Sequence, residues 1–273
     1  MKSEPMAGVR LLKAPLWADI VGLWHGFSTR LGGVSTVYSA GGTGELNLGL
    51  SAADEPDNVW RNRRLLAEAA TGSAETPLRT VRQVHSAVSL VVGAGQGAGL
   101  AWQPHVADGL MTAERGILLA IQTADCIPVL VADRRGRAVA AFHAGWRGTV
   151  AGIVEAGVAQ MVAEFGCDPG ELTAAIGPGI GACCYQVGDE VWQRFGDRFE
   201  YAAELFTPVP GAAPDQRKLD LAEANRRQLV AAGVPAGAIA LVGGCTSCRP
   251  DIYFSHRAEK GHAGRMMTVI GLR

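Results

Sequence analysis

The sequence has little net charge and no cluster of basic residues. Its 273 residues contain 25 Lys and Arg against 26 Asp and Glu, which gives a formal net charge of −1. Proteins that bind nucleic acid concentrate positive charge on one face or along one segment. We therefore expect no nucleic-acid partner, although a local basic pocket for a small anion is compatible with this composition.

The sequence also lacks an apolar run of the roughly 20 residues that a membrane-spanning helix requires. The apolar stretch 11–24 is interrupted by Lys13 and Asp19, and it does not have the layout of a signal peptide. In a chain of this length, six cysteines do not resemble the disulfide framework of a small secreted domain. We expect no membrane partner and a cytoplasmic protein, either a monomer or a small homo-oligomer.

Aromatic residues are few, at 6%, but 48% of the residues are hydrophobic and 36 are glycine. This supplies a sizeable core of small and aliphatic side chains. Periodicity predicts helices over 57–71, 149–165 and, with Asp220 as its cap, up to 232. It predicts strands over 84–92, 116–122, 127–132, 138–143, 173–176, 239–242 and 266–270. The stretches 93–99 and 208–214 are predicted to be loops, and neither divides the chain, so we expect one domain of mixed strands and helices.

Three separated residues carry the main chemical signal. His85 in RQVHSA and His143 in AFHAGWRG each adjoin a predicted strand, and Cys126 in TADC lies between two. Imidazole nitrogen and thiolate sulfur are good ligands for zinc and also for copper. Three protein ligands leave a fourth position open, as in catalytic zinc sites that acidify water or polarise a substrate.

A structural interpretation of the same residues stays open at this point. A histidine at a strand end is most often simply hydrogen-bonded, and a cysteine in an apolar run is most often a core residue. No local motif such as HExxH supports a metal. Asp125 is either a partner that orients a ligating histidine or an ordinary turn residue.

Two glycine-containing segments are candidates for binding an anion. Gly145 permits close backbone approach, Arg147 offers a bidentate contact, and a helix is expected to begin near Thr149. The segment 28–35 with Arg30, followed by Asn47, has the composition of a polar binding loop and equally that of an ordinary loop. Cys183 and Cys184 are adjacent and are either packed in the fold or redox-active. Cys245 and Cys248 form a CxxC, for which His256 and His262 are the conceivable further zinc ligands.

The motifs RQVHS, TADCIPVL, AAFHAGWRGT, IGPGIGACCYQVGDEV and FSHRAEKGHAGRM occur together and in order. With FSTRLGGVS, NLGL and DEPDNVWRNRRLL, they cover nearly the whole chain. On these motifs the sequence resembles the laccase-domain family, also called multicopper polyphenol oxidase or YfiH-like, now viewed as purine nucleoside phosphorylases. The family pattern often has Gly where this chain has Ser86, a neighbour of the expected ligand His85.

The resemblance implies a single α+β domain over residues 1–273, with mixed β-sheets flanked by helices in αββα layers. It implies a zinc ion, with copper as the alternative, bound by His85, Cys126 and His143. We expect catalytic roles for these three residues and for Asp125. We expect Arg30, Asn47, Gln83 and Arg147 to bind substrate or phosphate.

The activities that the resemblance implies are phosphorolysis of adenosine, inosine and 5′-methylthioadenosine, and adenosine deamination. The older copper-oxidase function is disfavoured, because four coppers need many imidazoles and this chain has six histidines and no His-x-His. Two further hypotheses are a Cys–His amide hydrolase, since some relatives are linked to peptidoglycan precursor editing, and a non-enzymatic partner-binding protein with a closed zinc site.

Overall fold

The computed structural model describes residues 8–39, 41–93, 105–211, 213 and 215–273. The α-helices in these residues are α1 Pro56–Thr71, α2 Trp146–Val150, α3 Ile153–Phe165, α4 Asp189–Arg198 and α5 Leu221–Ala231. The strands, in chain order, are β1 Leu11–Leu12, β2 Leu23–Ser28, β3 Leu31–Ser35, β4 Leu78–Arg79, β5 Ser89–Val91, β6 Gly109–Thr112, β7 Leu118–Thr123, β8 Ile127–Asp133, β9 Val139–Ala144, β10 Leu172–Ile176, β11 Gln186–Val187, β12 Phe206–Pro208, β13 Arg217–Leu219, β14 Ile239–Leu241 and β15 Met266–Leu272.

Two large mixed sheets form the frame. The first has five strands in the order β1-β2-β15-β7-β4, and the second has six in the order β14-β10-β8-β9-β6-β5. Most neighbours are antiparallel, whereas β4 with β7, β5 with β6 and β10 with β14 are parallel. A third, small sheet has the order β11-β13-β12.

The buried clusters show how the layers are stacked. One cluster lies between the two large sheets and includes Leu119, Ile121 and Ile270 of the first and Leu130, Val139 and Ala141 of the second. The other face of the first sheet packs on α1 through Leu66, and the other face of the second packs on α3, α4 and α5. This helix–sheet–sheet–helix order confirms the predicted α+β fold with mixed sheets between helices.

Local signals explain several helix ends. Pro56 occupies the first position of α1, and Gly72 ends that helix with a φ of +87°, a conformation that glycine adopts without steric cost. The Asp220 side chain accepts a 2.9 Å hydrogen bond from the Glu223 N–H at the start of α5, so the predicted cap is confirmed. The strands predicted in the centre of the chain are found within one or two residues of their expected bounds.

Three local expectations were wrong. The helix predicted over 149–165 begins earlier, at Trp146, and is interrupted at Gly152, whose φ is +78°. The strand predicted over 84–92 is reduced to β5, because the backbone N–H groups of residues 84–86 bind the Asp108 side chain instead of a strand. The segment 28–35 is not a loop but the end of β2 and all of β3, where a Cβ on Gly33 would lie 2.2 Å from the Glu45 carbonyl oxygen.

Most of the predicted loop 93–99 lies outside the described residues, as do residues 212 and 214 of the second predicted loop. Pro208, the first residue of that second loop, belongs to β12. Within the described ranges, no helix combines the length and the apolar character that crossing a bilayer requires.

Candidate metal centre

His85, Cys126 and His143 meet at one edge of the second sheet. Cys126 directly precedes β8 and His143 lies near the end of β9, and these strands pair with Ile127 opposite Ala144. One nitrogen or sulfur atom from each of the three side chains lies within 4.8 Å of the others. The Cys126 Sγ is 3.8 Å from the His85 Nε2, and the two imidazole centroids are 4.9 Å apart.

A fully buried carboxylate, Asp108, positions both histidines. Its Oδ1 accepts from the His143 Nδ1–H at 2.8 Å and from the backbone N–H of His85 at 2.9 Å. Its Oδ2 accepts from the Ser86 N–H at 2.6 Å and the Ser86 hydroxyl at 2.8 Å. Because Nδ1 of His143 is held by a carboxylate, its Nε2 is left as the ligating atom.

The backbone at His85 depends on this carboxylate. His85 has a φ of +63°, a left-handed conformation that costs a non-glycine residue of the order of 1 kcal/mol. The Val84, His85 and Ser86 N–H groups all point at Asp108, which holds the turn in this conformation. Sequence analysis missed Asp108, and the signal that was available is an acidic residue placed directly before an apolar strand, as Asp125 is placed in TADC.

Gly145 provides space beside the His85 and Cys126 side chains. A Cβ at this position would lie 2.8 Å from the His85 Cδ2 and 3.0 Å from the Cys126 Sγ. Both distances are too short for carbon in van der Waals contact, so any larger residue would displace a ligand. The glycine predicted to allow close backbone approach therefore does so toward the His85 and Cys126 side chains.

Cys126 and His143 have the electrostatics of a thiolate beside an imidazolium. Burial alone would raise the pKa of the Cys126 thiol, but hydrogen bonds with His143 and His85 outweigh it and lower the pKa to about 6. Burial alone would lower the pKa of His143, but its bonds with Asp108 and Cys126 raise the pKa to about 9. The Asp108 pKa, although burial acts to raise it, lies far below its usual range because His143 and Ser86 donate to the carboxylate.

This donor set fits a metal ion. A thiolate and two imidazole nitrogens suit zinc and also copper, and a carboxylate behind a ligating histidine is the usual supporting group. His85 is exposed, Cys126 is half-buried and His143 is buried, so the group opens to solvent on one side. Three ligands from the chain leave a coordination position for a substrate or water.

Asp125 does not orient a histidine. Its Oδ1 accepts from the Thr246 hydroxyl at 2.5 Å, and its Oδ2 accepts from the Arg257 N–H at 2.7 Å. Its φ is +88°, in the turn between β7 and β8 that presents Cys126. The carboxylate thus fixes this turn to the C-terminal segment, and the orienting role predicted for it belongs to Asp108.

Of the predicted phosphate contacts, the structure places Arg147 beside the centre and Arg30 elsewhere. Arg147 is exposed in α2 and lies over the Trp146 ring at 4.2 Å, four residues after His143. Arg30 is buried, with ion pairs to Glu45 at 2.7 Å and Glu259 at 3.1 Å. Its guanidinium joins three chain segments through these ion pairs, and neither pair involves a ligating residue.

Asn47 and Gln83 have mainly structural contacts. Asn47 is fully buried and bonds to Gly49, Asp54 and the Arg265 N–H. Gln83 makes two hydrogen bonds with the backbone of Gln122. Asn47 and Gln122 both line a cavity of about 260 Å³, together with Tyr38, His262 and Arg265.

Tyr185 and Arg257, which lie within the quoted motifs IGPGIGACCYQVGDEV and FSHRAEKGHAGRM, are near the centre. Tyr185 interacts electrostatically with Cys126, Arg147 and Arg257, and burial raises the pKa of its phenol, so the phenol stays protonated. Arg257 lies over the Tyr185 ring, 5.6 Å from its centroid. Arg257 thus lies in the same neighbourhood as Tyr185, whereas Arg265 lies at the 260 Å³ cavity.

The partners of the CxxC pair are also different from those considered. Ligand atoms of Cys245 and Cys248 cluster with those of Cys183 and Cys184, not with His256 and His262. The His262 ring instead packs on Tyr38, 5.3 Å away.

Comparison with known proteins gives matches along almost the whole chain. The family model described as multi-copper polyphenol oxidoreductase laccase matches residues 24–273. The chain is 39% identical to purine nucleoside phosphorylase YlmD of Geobacillus stearothermophilus, over 95% of this chain and 93% of the relative. It is 42% identical to a purine nucleoside phosphorylase of Deinococcus radiodurans, over 97% of this chain and 94% of that relative. The crystal structure of the hypothetical protein YfiH from Bacillus licheniformis superposes with a TM-score of 0.87 at 32% identity, covering 97% of this chain and 99% of that one.

Proposed function

Since the chain belongs to the multi-copper polyphenol oxidoreductase laccase family, whose relatives include proteins named purine nucleoside phosphorylase, we propose that it is a zinc-dependent purine nucleoside phosphorylase. Its substrates are adenosine, inosine and 5′-methylthioadenosine, and its products are the free base and ribose 1-phosphate or its methylthio derivative. The observation that carries the proposal is the His85–Cys126–His143 group with Asp108 behind it.

The reaction breaks the bond between the ribose anomeric carbon and the purine nitrogen, and a phosphate oxygen forms the new bond to that carbon. The base departs with the bonding electron pair and takes up a proton. A zinc ion held by His85, Cys126 and His143 would supply Lewis-acid stabilisation of negative charge on a substrate group. The chain itself must hold phosphate and provide the proton.

We propose that two arginines, Arg147 and Arg257, hold the phosphate. Arg147 and Arg257 both interact with Tyr185, which also interacts with Cys126, so the four side chains share one neighbourhood. A guanidinium binds phosphate through two parallel N–H···O bonds and fixes its direction of attack. The Tyr185 phenol, which stays protonated, is the group we propose to donate a hydrogen bond to the leaving base.

We include adenosine deamination in the proposal, in which water replaces the amino group of the purine and ammonia leaves. We propose that the purine edge approaches the centre from the exposed side at His85. We also propose a cytoplasmic location, where thiols such as the six free cysteines of this chain remain reduced.

The experiment is an assay of purified, zinc-loaded protein with each nucleoside and inorganic phosphate, with bases and sugar phosphates separated by chromatography. Hypoxanthine and ribose 1-phosphate are expected from inosine, and ammonia with inosine from adenosine when phosphate is left out. Cys126→Ala and His143→Ala should abolish both reactions. Cys167→Ser is the matched control and should retain activity, because Cys167 is a buried free cysteine in the connection between α3 and β10.

A second function is favoured by one specific observation. Without metal, Cys126, His143 and Asp108 form a thiolate–imidazolium pair with a carboxylate behind it, the arrangement of a cysteine hydrolase. This alternative predicts amide cleavage by metal-free protein and its loss on alkylation of Cys126. One zinc per His85–Cys126–His143 group, with activity lost on chelation, would reject it.

A copper-dependent polyphenol oxidase has less support. Among the described residues, the only candidate metal group containing histidine is the His85–Cys126–His143 group. Four coppers cannot be held by two imidazoles and one thiolate.

A further inference from the structure

A second group of metal-ligating side chains lies outside the centre described above. Cys183 and Cys184 follow β10, and Cys245 and Cys248 follow β14. These two strands are parallel neighbours, so both loops leave the same edge of the second sheet. The four sulfur atoms lie within 4.8 Å of one another.

The sulfur positions are those of metal ligands rather than of disulfides. The Cys248 Sγ lies 3.4 Å from the Cys183 Sγ and 3.3 Å from the Cys184 Sγ. A disulfide needs about 2.05 Å and can join Cys248 to only one of them. Tetrahedral zinc with bonds of about 2.3 Å places thiolates about 3.8 Å apart and accepts all four. We propose that Cys183, Cys184, Cys245 and Cys248 bind a structural zinc ion.

The backbone around the four cysteines is already arranged for this. The Gly181 N–H donates to the Cys245 Sγ at 3.2 Å, a bond that stabilises a thiolate. The Gly181 carbonyl accepts from the N–H groups of Cys184 and Tyr185, both at 2.9 Å, and this turn directs the adjacent cysteines toward the CxxC. A Cβ at Gly181 would lie 3.2 Å from the Cys245 Cβ and 3.4 Å from the Cys183 Sγ, so glycine at this position lets the two loops approach closely.

This zinc supports the turn that carries Cys126 without touching substrate. Within the loop that follows β10, Ile180 donates its N–H to the Asp125 carbonyl at 2.8 Å. From the other loop, Thr246 donates its N–H to the Gly179 carbonyl at 3.0 Å and its hydroxyl to the Asp125 carboxylate at 2.5 Å. A zinc ion joining the two loops therefore clamps Asp125, the neighbour of Cys126. Four ligands from the chain leave no open coordination position, which is the pattern of a structural site.

The first test is a metal count by native mass spectrometry on full-length protein purified under reducing conditions without added metal. The wild type should carry two zinc ions per chain, and Cys245→Ser/Cys248→Ser should carry one. Cys126→Ala should retain the zinc at the four cysteines, so failure of the proposed phosphorylase leaves this result readable. Cys167→Ser, which removes the cysteine outside both groups, should keep two.

A second test uses only the wild type, in case the double variant does not fold. Cys183 and Cys248 are exposed, so as free thiols they would react with iodoacetamide at once. With zinc bound, they should be labelled only after a chelator is added, and the chelator should lower the melting temperature by several degrees. A Cys126→Ala protein that carries no zinc, rapid labelling without chelator, or a Cys248 disulfide to Cys183 or Cys184 in freshly reduced protein would each overturn the proposal.

Discussion

Replacing Asp108 with asparagine should weaken zinc binding although Asp108 is not a ligand. The amide retains one oxygen, which can still accept from His143 and His85, but it places an NH₂ group against the Ser86 N–H. The variant therefore loses the bond that is 2.6 Å long in the wild type and the negative charge that favours the His143 Nδ1–H tautomer.

The magnitude follows from these contacts. Loss of a carboxylate behind a ligating histidine typically lowers metal affinity about 10–100-fold. In the variant, the Ser86 N–H and hydroxyl lose their carboxylate acceptor. Since a hydrogen bond to a charged group contributes about 1.5–3 kcal/mol, the free energy of unfolding should fall by about 2–4 kcal/mol. Because the folded-state pKa of Asp108 lies below its unfolded value, this contribution is present at neutral pH and is lost as the pH falls below about 4.

The assay is a competition titration of zinc against a chromophoric chelator, combined with urea unfolding at several pH values. Asp133→Asn is the matched control, because Asp133 is equally buried but pairs with Arg137 at the opposite end of β8. It should reduce stability and leave zinc affinity unchanged. Zinc affinity of Asp108→Asn within twofold of the wild type would refute the positioning role of Asp108.

Three further predictions concern single residues. Gly145→Ala should lower zinc affinity about tenfold or more, because the added methyl group would contact the His85 ring and the Cys126 sulfur. The control Gly196→Ala, in α4 with open space around it, should leave zinc affinity unchanged. The same chelator competition measures both variants. In protein from which metal has been removed by a chelator, the rate of Cys126 alkylation should rise through about pH 6, where the thiolate forms. His143→Ala should move this rise toward the ordinary thiol pKa of about 8.5. A rise at about pH 8.5 in the wild type would contradict the thiolate–imidazolium pair. Arg147→Ala should raise the KM for phosphate about tenfold, with a smaller effect on the KM for nucleoside, as expected for the loss of a bidentate contact. The control Arg135→Ala removes an exposed ion pair with Glu171 and should leave both KM values unchanged. Equal effects of Arg147→Ala on the two KM values would exclude a phosphate contact.

The fold could largely be anticipated because its elements are locally encoded. The apolar runs of β7 to β10 and the caps of α1 and α5 lie in the sequence itself, and their bounds were close to those observed. The interruption at Gly152 and the shortening of β5 were not anticipated, since the first depends on one residue with positive φ and the second on a side chain more than fifteen residues away.

The sequence indicated only those members of the site whose side chains are good metal ligands. His85, Cys126 and His143 were identified as possible metal ligands because imidazole and thiolate bind zinc well and each residue adjoins a predicted strand. Asp108 and Tyr185 were missed, since an aspartate and a tyrosine have many ordinary roles and only tertiary structure shows what they contact. Arg30 and Asp125 lie within motifs, but the partners that the structure gives them are other residues of the chain: Glu45 for Arg30 and Thr246 for Asp125.

The most direct test of the zinc-dependent phosphorylase is ³¹P nuclear magnetic resonance of a reaction containing the zinc-loaded protein, inosine and inorganic phosphate. The account predicts that phosphate is converted to ribose 1-phosphate in a one-to-one ratio with hypoxanthine, and that a chelator stops the conversion until zinc is restored. Hypoxanthine released with free ribose, or no change in the phosphate signal with fully zinc-loaded protein, would contradict it.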